Sequence, residues 1–317
     1  MKYQKFLHAV KAEITQILGD SADTILHKVS KNNGVYLDSI TIMFPKEQMA
    51  PSIYMNQFYE EYKRGKSISQ IVKEVVIEGT KREDDFSLES NFLTDFQKMK
   101  GKIAYKFINY EKNLRLLNEV PHIRILDLAI VFFCVLRDKE IEFATIDVCN
   151  YHMELWSTNK EELYELAIKN TPLLLPGVFQ NMEVVMTELL ELEKEEIEKI
   201  MEEDKKAPPL FEQIKKELAE NSKFMPMYVM TNGERTFGAI SILYSRVLEK
   251  ISHYFQSDIY ILPSSIHECI IVPFCDRYTK EELAIMVKEI NETQVATEEV
   301  LSNKVYIYSR QSKELSQ

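Results

Sequence analysis

The 317-residue sequence is poor in glycine, proline and cysteine, with 8, 10 and 4 residues respectively. This scarcity excludes collagen-like and low-complexity polymers, and the hydrophobic share of 45% is that of a globular protein. Four cysteines in a chain of this length, without a signal-peptide pattern, are expected to be free thiols rather than disulfides. The length predicts two domains, or one large one.

Long hydrophobic runs are missing as well. The longest, Leu128 to Leu136, has nine residues, well short of the ~20 that a transmembrane helix needs. Near the start of the sequence, Lys5, His8 and Lys11 interrupt the apolar positions, which does not fit the continuous apolar core of a signal peptide. We therefore expect a cytoplasmic protein.

Positive charge is in deficit, because 39 Lys and Arg stand against 50 Asp and Glu and leave a net charge of -11. Such a surface repels a phosphate backbone, so nucleic acid is not an expected partner. Ten of the carboxylates lie between Glu183 and Asp204, and the spacing predicts a long acidic helix from Asn181 to Glu203. Its apolar stripe predicts docking within the chain, on a protein partner or on a second copy, whereas its charge argues against a membrane.

Helical and strand periodicities alternate in every third of the chain, which predicts an α+β fold with mainly antiparallel sheets. The Asn33-Gly34 pair suits the positive φ angles of a type I′ hairpin turn. Besides the acidic helix, the predicted helices include Tyr3 to Leu18, Ser67 to Ile77, Ile240 to Phe255 and Lys280 to Glu292. The predicted strands are Ile25 to Ser30, Val35 to Phe44, Ile103 to Tyr110, Ile125 to Leu136, Phe143 to Leu155, Met227 to Thr231, Asp258 to Leu262, Glu268 to Pro273 and Lys304 to Tyr308.

We predict two lobes joined near a Pro-Pro linker that follows the acidic helix. The N-terminal α+β lobe, with the β-hairpin, covers residues 1–120. The C-terminal α+β lobe covers residues 121–317 and includes the acidic helix 181–203 and the linker 204–210. Pro208 and Pro209 interrupt helical hydrogen bonding at that linker.

The densest polar cluster runs from Pro263 to Cys269 and offers three catalytic candidates, Ser265, His267 and Cys269. On a strand, Ser265 and His267 share one face. A catalytic triad also needs a third group that orients the base, and the sequence supplies none nearby. We therefore favour a structural turn from Ser264 to Glu268, with a nucleophilic site and a ligand site as the open alternatives.

Metal and cofactor sites are not expected. Cys149 with His152, or His267 with Cys269 and Cys275, lack the paired ligand spacing of a structural zinc site. Gly233 and Gly238 follow a predicted strand, as in a phosphate-binding loop. No Lys-Ser or Lys-Thr pair follows them, so a tight turn is favoured.

Aromatic and basic residues are clustered between Tyr54 and Arg64. Tyr54, Tyr59 and Tyr62 stand beside Asn56 and Lys63 in the sequence. Such a set can stack bases or hold a peptide, although packing in the core explains the same residues.

Five stretches of the sequence carry a resemblance to a known family. They are Lys31 to Val35, Pro51 to Asn56, Tyr59 to Gly65, Ile261 to Glu268, and Glu298 to Tyr308 with Asn291. Through them the chain resembles an uncharacterised family, a domain of unknown function, of anaerobic Gram-positive gut bacteria. The C-terminal half is distantly similar to a second uncharacterised Gram-positive family, through Trp156 and Leu262 to Ser265. The resemblance implies a bacterial cytosolic protein and brings no known activity.

The sequence supplies interaction surfaces without an assembled catalytic set. Our first hypothesis is a non-enzymatic cytoplasmic binding or regulatory protein. The alternative is a hydrolase or thiol enzyme with a site around Ser265, His267 and Cys269.

Overall fold

A computed structural model describes residues 1–45, 50–80, 94–137, 143–188 and 225–317. The chain forms two compact units, Met1–Leu88 and Glu89–Gln317. The described residues form helices and three antiparallel sheets. The predicted α+β class with antiparallel sheets is therefore confirmed.

The first unit packs three helices on a three-stranded sheet of order β1-β2-β3. Its elements are α1 (Tyr3–Leu18), β1 (Asp23–Ser30), β2 (Tyr36–Met43), β3 (Ser52–Tyr54), α2 (Met55–Lys63) and α3 (Ile68–Thr80). Helix α1 has the predicted bounds, and its apolar stripe is buried against the sheet and α3. The core of this unit contains Phe6, Leu7, Val10, Ile14, Ile40, Ile42, Ile53, Met55, Ile71, Val72 and Val75.

The hairpin in the first unit has the predicted turn. β1 pairs with β2 along its whole length, from Asp23 opposite Met43 to Ser30 opposite Tyr36. Asn33 has φ 59° and Gly34 has φ 70°, and the Val35 amide donates to the Asn32 carbonyl at 3.2 Å. Both positive φ angles are those that a type I′ turn requires.

The second unit contains a four-stranded sheet with β6 at its centre. The strands are β4 (Ile103–Asn109), β5 (His122–Ile125), β6 (Leu128–Leu136) and β7 (Ala144–Asp147), and the helices beside them are α4 (Phe96–Met99), α5 (Leu114–Leu117), α6 (Asn150–Trp156) and α7 (Lys160–Leu174). β4 pairs with one edge of β6, while β5 and β7 share the other edge. All nine residues of β6 are buried, as its unbroken apolar sequence predicts.

Two predicted strands in this region are too long. The strand predicted from Ile125 to Leu136 is divided by a turn at Leu126, whose φ is 54°. The strand predicted from Phe143 to Leu155 ends at Asp147 because α6 begins after Cys149. The Cys149 amide donates to Nδ1 of His152 at 2.9 Å, which caps that helix.

The second unit also contains a six-stranded sheet of order β13-β12-β10-β11-β9-β8. Its strands are β8 (Gly177–Asn181), β9 (Tyr228–Asn232), β10 (Ile259–Leu262), β11 (Cys269–Pro273), β12 (Tyr306–Tyr308) and β13 (Leu315–Ser316), and two helices, α8 (Val247–Phe255) and α9 (Lys280–Thr293), accompany them. The helix predicted from Ile240 to Phe255 is instead a 3-10 helix, Gly238–Leu243, followed by α8. Arg246, with φ 60°, interrupts the two.

One hydrophobic core lies between the two sheets of the second unit. Both sheets and the 3-10 helix supply its members. The largest fully buried aromatic side chains in this cluster are Tyr105, Phe107, Phe132 and Tyr306.

The predicted lobe boundary at 120/121 falls inside the second unit. β4 lies before this position and β6 after it, yet the two pair from Ile103 opposite Cys134 to Asn109 opposite Leu128. The compact units divide at 88/89 instead. A sheet that spans a proposed boundary cannot be cut there without exposing its ladder hydrogen bonds.

The strands before and after the Pro-Pro linker, β8 and β9, pair with each other. The ladder continues to Met182, whose amide donates to the Met227 carbonyl at 2.9 Å. Of the predicted acidic helix 181–203, residues 182–188 are helical. The remainder of that helix and the linker 204–210 lie outside the described residues.

Candidate functional site

The three predicted catalytic residues lie on the connection between β10 and β11 and at its end. This connection pairs with a second loop: the Ile266 amide donates to the Glu299 carbonyl at 2.9 Å, and the Leu301 amide to the Ser264 carbonyl at 2.7 Å. The buried Ser265 Oγ accepts from the His267 amide at 3.0 Å. The serine hydroxyl therefore closes a local turn.

The His267 imidazole faces two other loops. Nδ1 lies 3.4 Å from the Phe237 amide, which donates to it, and Nε2 lies 3.5 Å from Oε1 of Glu299. The ring stacks parallel to Phe237, with an interplanar angle of 10°. With Nδ1 as the acceptor, the proton of a neutral imidazole is on Nε2, directed at the carboxylate. Both ring nitrogens are thus engaged away from the Ser265 hydroxyl.

Cys269, the third candidate, is fully buried in β11. Its thiol donates to the Ala239 carbonyl, with Sγ 3.5 Å from the oxygen. Burial, with a smaller contribution from Glu268, raises the pKa of the thiol well above its usual range. Because the thiolate is the nucleophilic form, this environment suppresses the chemistry that a thiol enzyme needs.

Glu268 is the perturbed carboxylate of this region. Burial raises its pKa, His267 and Arg235 oppose that change, and Glu299 adds to it. A carboxyl group that holds its proton more tightly can act as a general acid, so this residue is the strongest support for an enzymatic alternative.

The loop that packs on His267 is strained, and sequence reasoning did not identify it as a site. Arg235 and Phe237 have left-handed backbones, with φ 51° and 54°. Asn232 holds the loop: its Oδ1 accepts from the amides of Glu234 and Thr236, at 3.1 and 3.3 Å. The segment between Gly233 and Gly238 is therefore a tight turn, in agreement with the favoured prediction: the amides of Glu234, Arg235 and Thr236 donate to Asn232, and the Phe237 amide donates to His267.

A buried lysine also contacts this loop. Lys106 Nζ is 4.2 Å from the centroid of the Phe237 ring and 2.6 Å from Oδ1 of Asp147. A lysine in the middle of the apolar strand β4 is the feature of the sequence that could have predicted a buried charge here. The cation-aromatic contact and the ion pair together hold the lysine in an otherwise apolar layer.

The second cysteine-histidine pair is structural as well. Nδ1 of His152 accepts from the Cys149 amide, and the ring lies against Trp156, with centroids 5.3 Å apart. Burial lowers the pKa of His152. Within the described ranges, no three His, Cys, Asp or Glu side chains converge as metal ligands would. All four cysteines are free thiols, as predicted.

The first unit carries a surface cavity of about 330 Å³, which we call the tyrosine groove. It is lined by Tyr3, Asn56, Gln57, Tyr59 and Glu60. Four of these residues lie on the first turns of α2, and Tyr3 begins α1. The two phenol rings have centroids 4.9 Å apart and planes inclined at 58°. The volume is within the range of small-molecule sites.

An aromatic cluster supports the groove from behind. The Phe6 ring contacts Tyr59 and Tyr62, whose ring centroids lie 6.1 Å apart in a stacked arrangement.

The Tyr3 phenol has a perturbed pKa. Burial, together with the Asp38 carboxylate, raises the pKa of Tyr3 to about 12.

The structure brings together part of the predicted aromatic and basic cluster. Asn56 and Tyr59 line the groove, and Lys63 Nζ lies 5.5 Å from the centroid of the Tyr59 ring. Tyr54 lies elsewhere, because its hydroxyl accepts from Lys31 at the hairpin turn at 2.6 Å. Tyr3 was missed by the sequence analysis, since only the packing of α1 against α2 places it there.

No helix in the described parts of the chain is long and apolar enough to cross a membrane. No curated protein and no solved structure is significantly similar to the chain. A family model, described as a family of unknown function, matches residues 3–310 and confirms the predicted resemblance to an uncharacterised family. The chain therefore belongs to the family of unknown function DUF5688.

Proposed function

We propose that this chain is a non-enzymatic binding or regulatory protein of the cytoplasm, and that the tyrosine groove is its ligand-binding site. The observation that carries the proposal is the convergence of two phenol rings, two amides and one carboxylate on a single cavity. Asn56, Gln57 and Glu60 are exposed at its rim. Concave sites that combine aromatic walls with a few polar groups are typical of ligand binding.

The geometry around Ser265 supports binding over catalysis. Its hydroxyl accepts a backbone hydrogen bond, both nitrogens of His267 have other partners, and Cys269 is buried with a raised thiol pKa. A hydrolase or thiol enzyme at this position would first have to break contacts that hold the loops together.

The free thiols support a reducing compartment, and the net charge of -11 disfavours nucleic acid. A protein partner, or a second copy, docked on helix 181–203 remains a separate part of the proposal. Most of that helix lies outside the described residues.

The binding proposal is tested by retention of a ligand. The purified chain is incubated with an extract of its host cells, and retained compounds are identified by mass spectrometry after rapid gel filtration. Gln57→Trp fills the groove, whereas Gln16→Trp places the same side chain on an exposed position of α1. We expect wild type and Gln16→Trp to retain a compound that Gln57→Trp loses.

Two outcomes contradict the proposal. No retention, or equal retention by all three proteins, would remove the groove as the site. A compound that is chemically converted, with conversion lost in His267→Asn, would support the enzymatic alternative instead.

A further inference from the structure

The tyrosine groove has the electrostatic character of a cation site. The rings of Tyr3 and Tyr59 both line the cavity, with planes inclined at 58°, and the face of an aromatic ring attracts positive charge. Glu60 is the one charged residue among the five that line the cavity, and the amide oxygens of Asn56 and Gln57 can accept hydrogen bonds. The Glu60 carboxylate would repel an anionic ligand.

The chain itself places an ammonium group at the edge of this groove. Lys63 Nζ lies 2.7 Å from Oε2 of Glu60 and 5.5 Å from the centroid of the Tyr59 ring. The two side chains of the pair are 50% and 55% exposed, so the pair contributes little to stability and can exchange with another cation. Lys63 is thus an ammonium group, three residues along the same helix, that pairs with this carboxylate within reach of the ring.

We propose that the tyrosine groove binds an alkylammonium or guanidinium group, which displaces Lys63 from Glu60 and packs against Tyr3 and Tyr59. This inference rests on the proposed binding function and names its ligand chemistry. The net charge of -11 favours the approach of such a ligand over long distances. The cation can be a free amine or a lysine or arginine side chain of a polypeptide, and the probes below separate these sources.

The test is a titration of the full chain followed by NMR of selectively labelled tyrosine rings. The cationic probes are tetramethylammonium, N-acetyl-lysine methylamide and N-acetyl-arginine methylamide, and N-acetyl-norleucine methylamide is the neutral control. We expect the cationic probes to shift the Tyr3 and Tyr59 resonances and the neutral probe to leave them unchanged. Stronger binding of the lysine and arginine derivatives identifies a polypeptide ligand, and equal or stronger binding of tetramethylammonium identifies a free amine.

Two matched pairs of variants assign the contacts. Glu60→Gln should weaken cation binding roughly two- to fivefold, the effect of one exposed ion pair, while Glu78→Gln on the exposed surface of α3 should not. Lys63→Met removes the internal competitor and should strengthen binding by a similar factor, while Lys73→Met should not. Thermal unfolding of each variant verifies that the first unit remains folded.

Two results with the probes overturn the cation proposal: the neutral probe binds as well as the cationic ones, or none of the cationic probes binds. Two results with the variants do the same: Glu60→Gln binds the cationic probes like Glu78→Gln, or Lys63→Met binds them more weakly than wild type. Its failure is distinguishable from failure of the binding function. If a retained cell compound is still lost in Gln57→Trp, the groove is a binding site for another chemistry. If nothing is retained either, both proposals fail.

Discussion

Replacing Gly238 with alanine should destabilise the second unit strongly, although its backbone does not require glycine. A Cβ at this position would lie 2.5 Å from the His267 carbonyl oxygen and 2.7 Å from the Asn232 backbone nitrogen, and closest of all to Oγ1 of Thr231. Thr231 Oγ1 also donates to the His267 carbonyl at 2.8 Å, so the new methyl group would press on that hydrogen bond. Two of the three contacts are with backbone, which cannot rotate away.

The expected loss of unfolding free energy in Gly238→Ala has two contributions. Overpacking of this kind costs roughly 1–3 kcal/mol, and the weakened hydrogen bond adds about 1 kcal/mol. Their sum, roughly 2–4 kcal/mol, is a large part of the ~5–15 kcal/mol that stabilises a folded protein. At ~2–4 °C per kcal/mol for a unit of this size, the Tm of the second unit should fall by roughly 4–16 °C.

Chemical denaturation and thermal unfolding measure this loss, with Gly101→Ala as the matched control. Gly101 has open space around its Cβ position and no left-handed φ, so its replacement should be neutral or slightly stabilising. Adding Thr231→Ala to Gly238→Ala removes one contact and leaves the two backbone contacts. Equal stability of the two glycine variants, or full rescue by Thr231→Ala, would refute the reasoning.

Three further predictions concern single residues. Gly34→Val should cost roughly 1–2 kcal/mol in unfolding free energy because its φ is 70°, with Gly34→Asn as the tolerated control; equal stability of both would contradict the turn assignment. The pKa of the Tyr3 phenol rises from 10.0 to about 12 on folding. The stabilisation of the folded state that this shift contributes is therefore complete below pH 10 and is lost as the pH rises through 12. Denaturation measured as a function of pH should therefore show that Tyr3→Phe loses less stability at alkaline pH than wild type. Identical pH profiles of the two proteins would contradict this assignment. A thiol reagent should modify half-buried Cys275 before buried Cys269, and rapid native modification of Cys269 would reopen the thiol-enzyme alternative.

Regular periodicity was sufficient to predict the elements that are buried on one face or on both. Helix α1 has the predicted bounds because its apolar stripe is continuous, and β6 is central because every residue in it is apolar. The hairpin was predictable from the Asn33-Gly34 pair, since few residues tolerate two successive positive φ angles.

Features that depend on tertiary contacts were not predictable in the same way. The Phe143 to Leu155 segment reads as one strand, but the side chain of His152 caps a helix within it. The pairing of β4 with β6 crosses the predicted boundary at 120/121, and such long-range pairing leaves no local signal in the sequence between the two strands. Residues with a left-handed backbone conformation, such as Arg246, are held in it by the surrounding structure, and their residue type does not predict it.

The residues of the candidate site likewise fall into two groups: those that are neighbours in the sequence and those that only tertiary contacts bring together. Asn56, Tyr59 and Lys63 are visible in the sequence because they are neighbours on one helix. Tyr3 joins them only through the packing of two helices, and its ring completes the groove. The Ser265 turn was predicted from turn-forming residues, whereas the stacking of His267 on Phe237 depends on a strained loop elsewhere in the chain.

The stretches that carry the family resemblance differ in what they contribute to the structure. In the second unit they mainly hold loops and sheets together: the Ser302 and Tyr306 hydroxyls donate to Asp127, and Nδ2 of Asn291 donates to the Ser302 carbonyl at 3.0 Å. In the first unit, Asn56 and Glu60 belong to such stretches and are exposed. Because these side chains are exposed, they are available to a ligand in the tyrosine groove. For this reason we propose the tyrosine groove, rather than the Ser265 region, as the binding site.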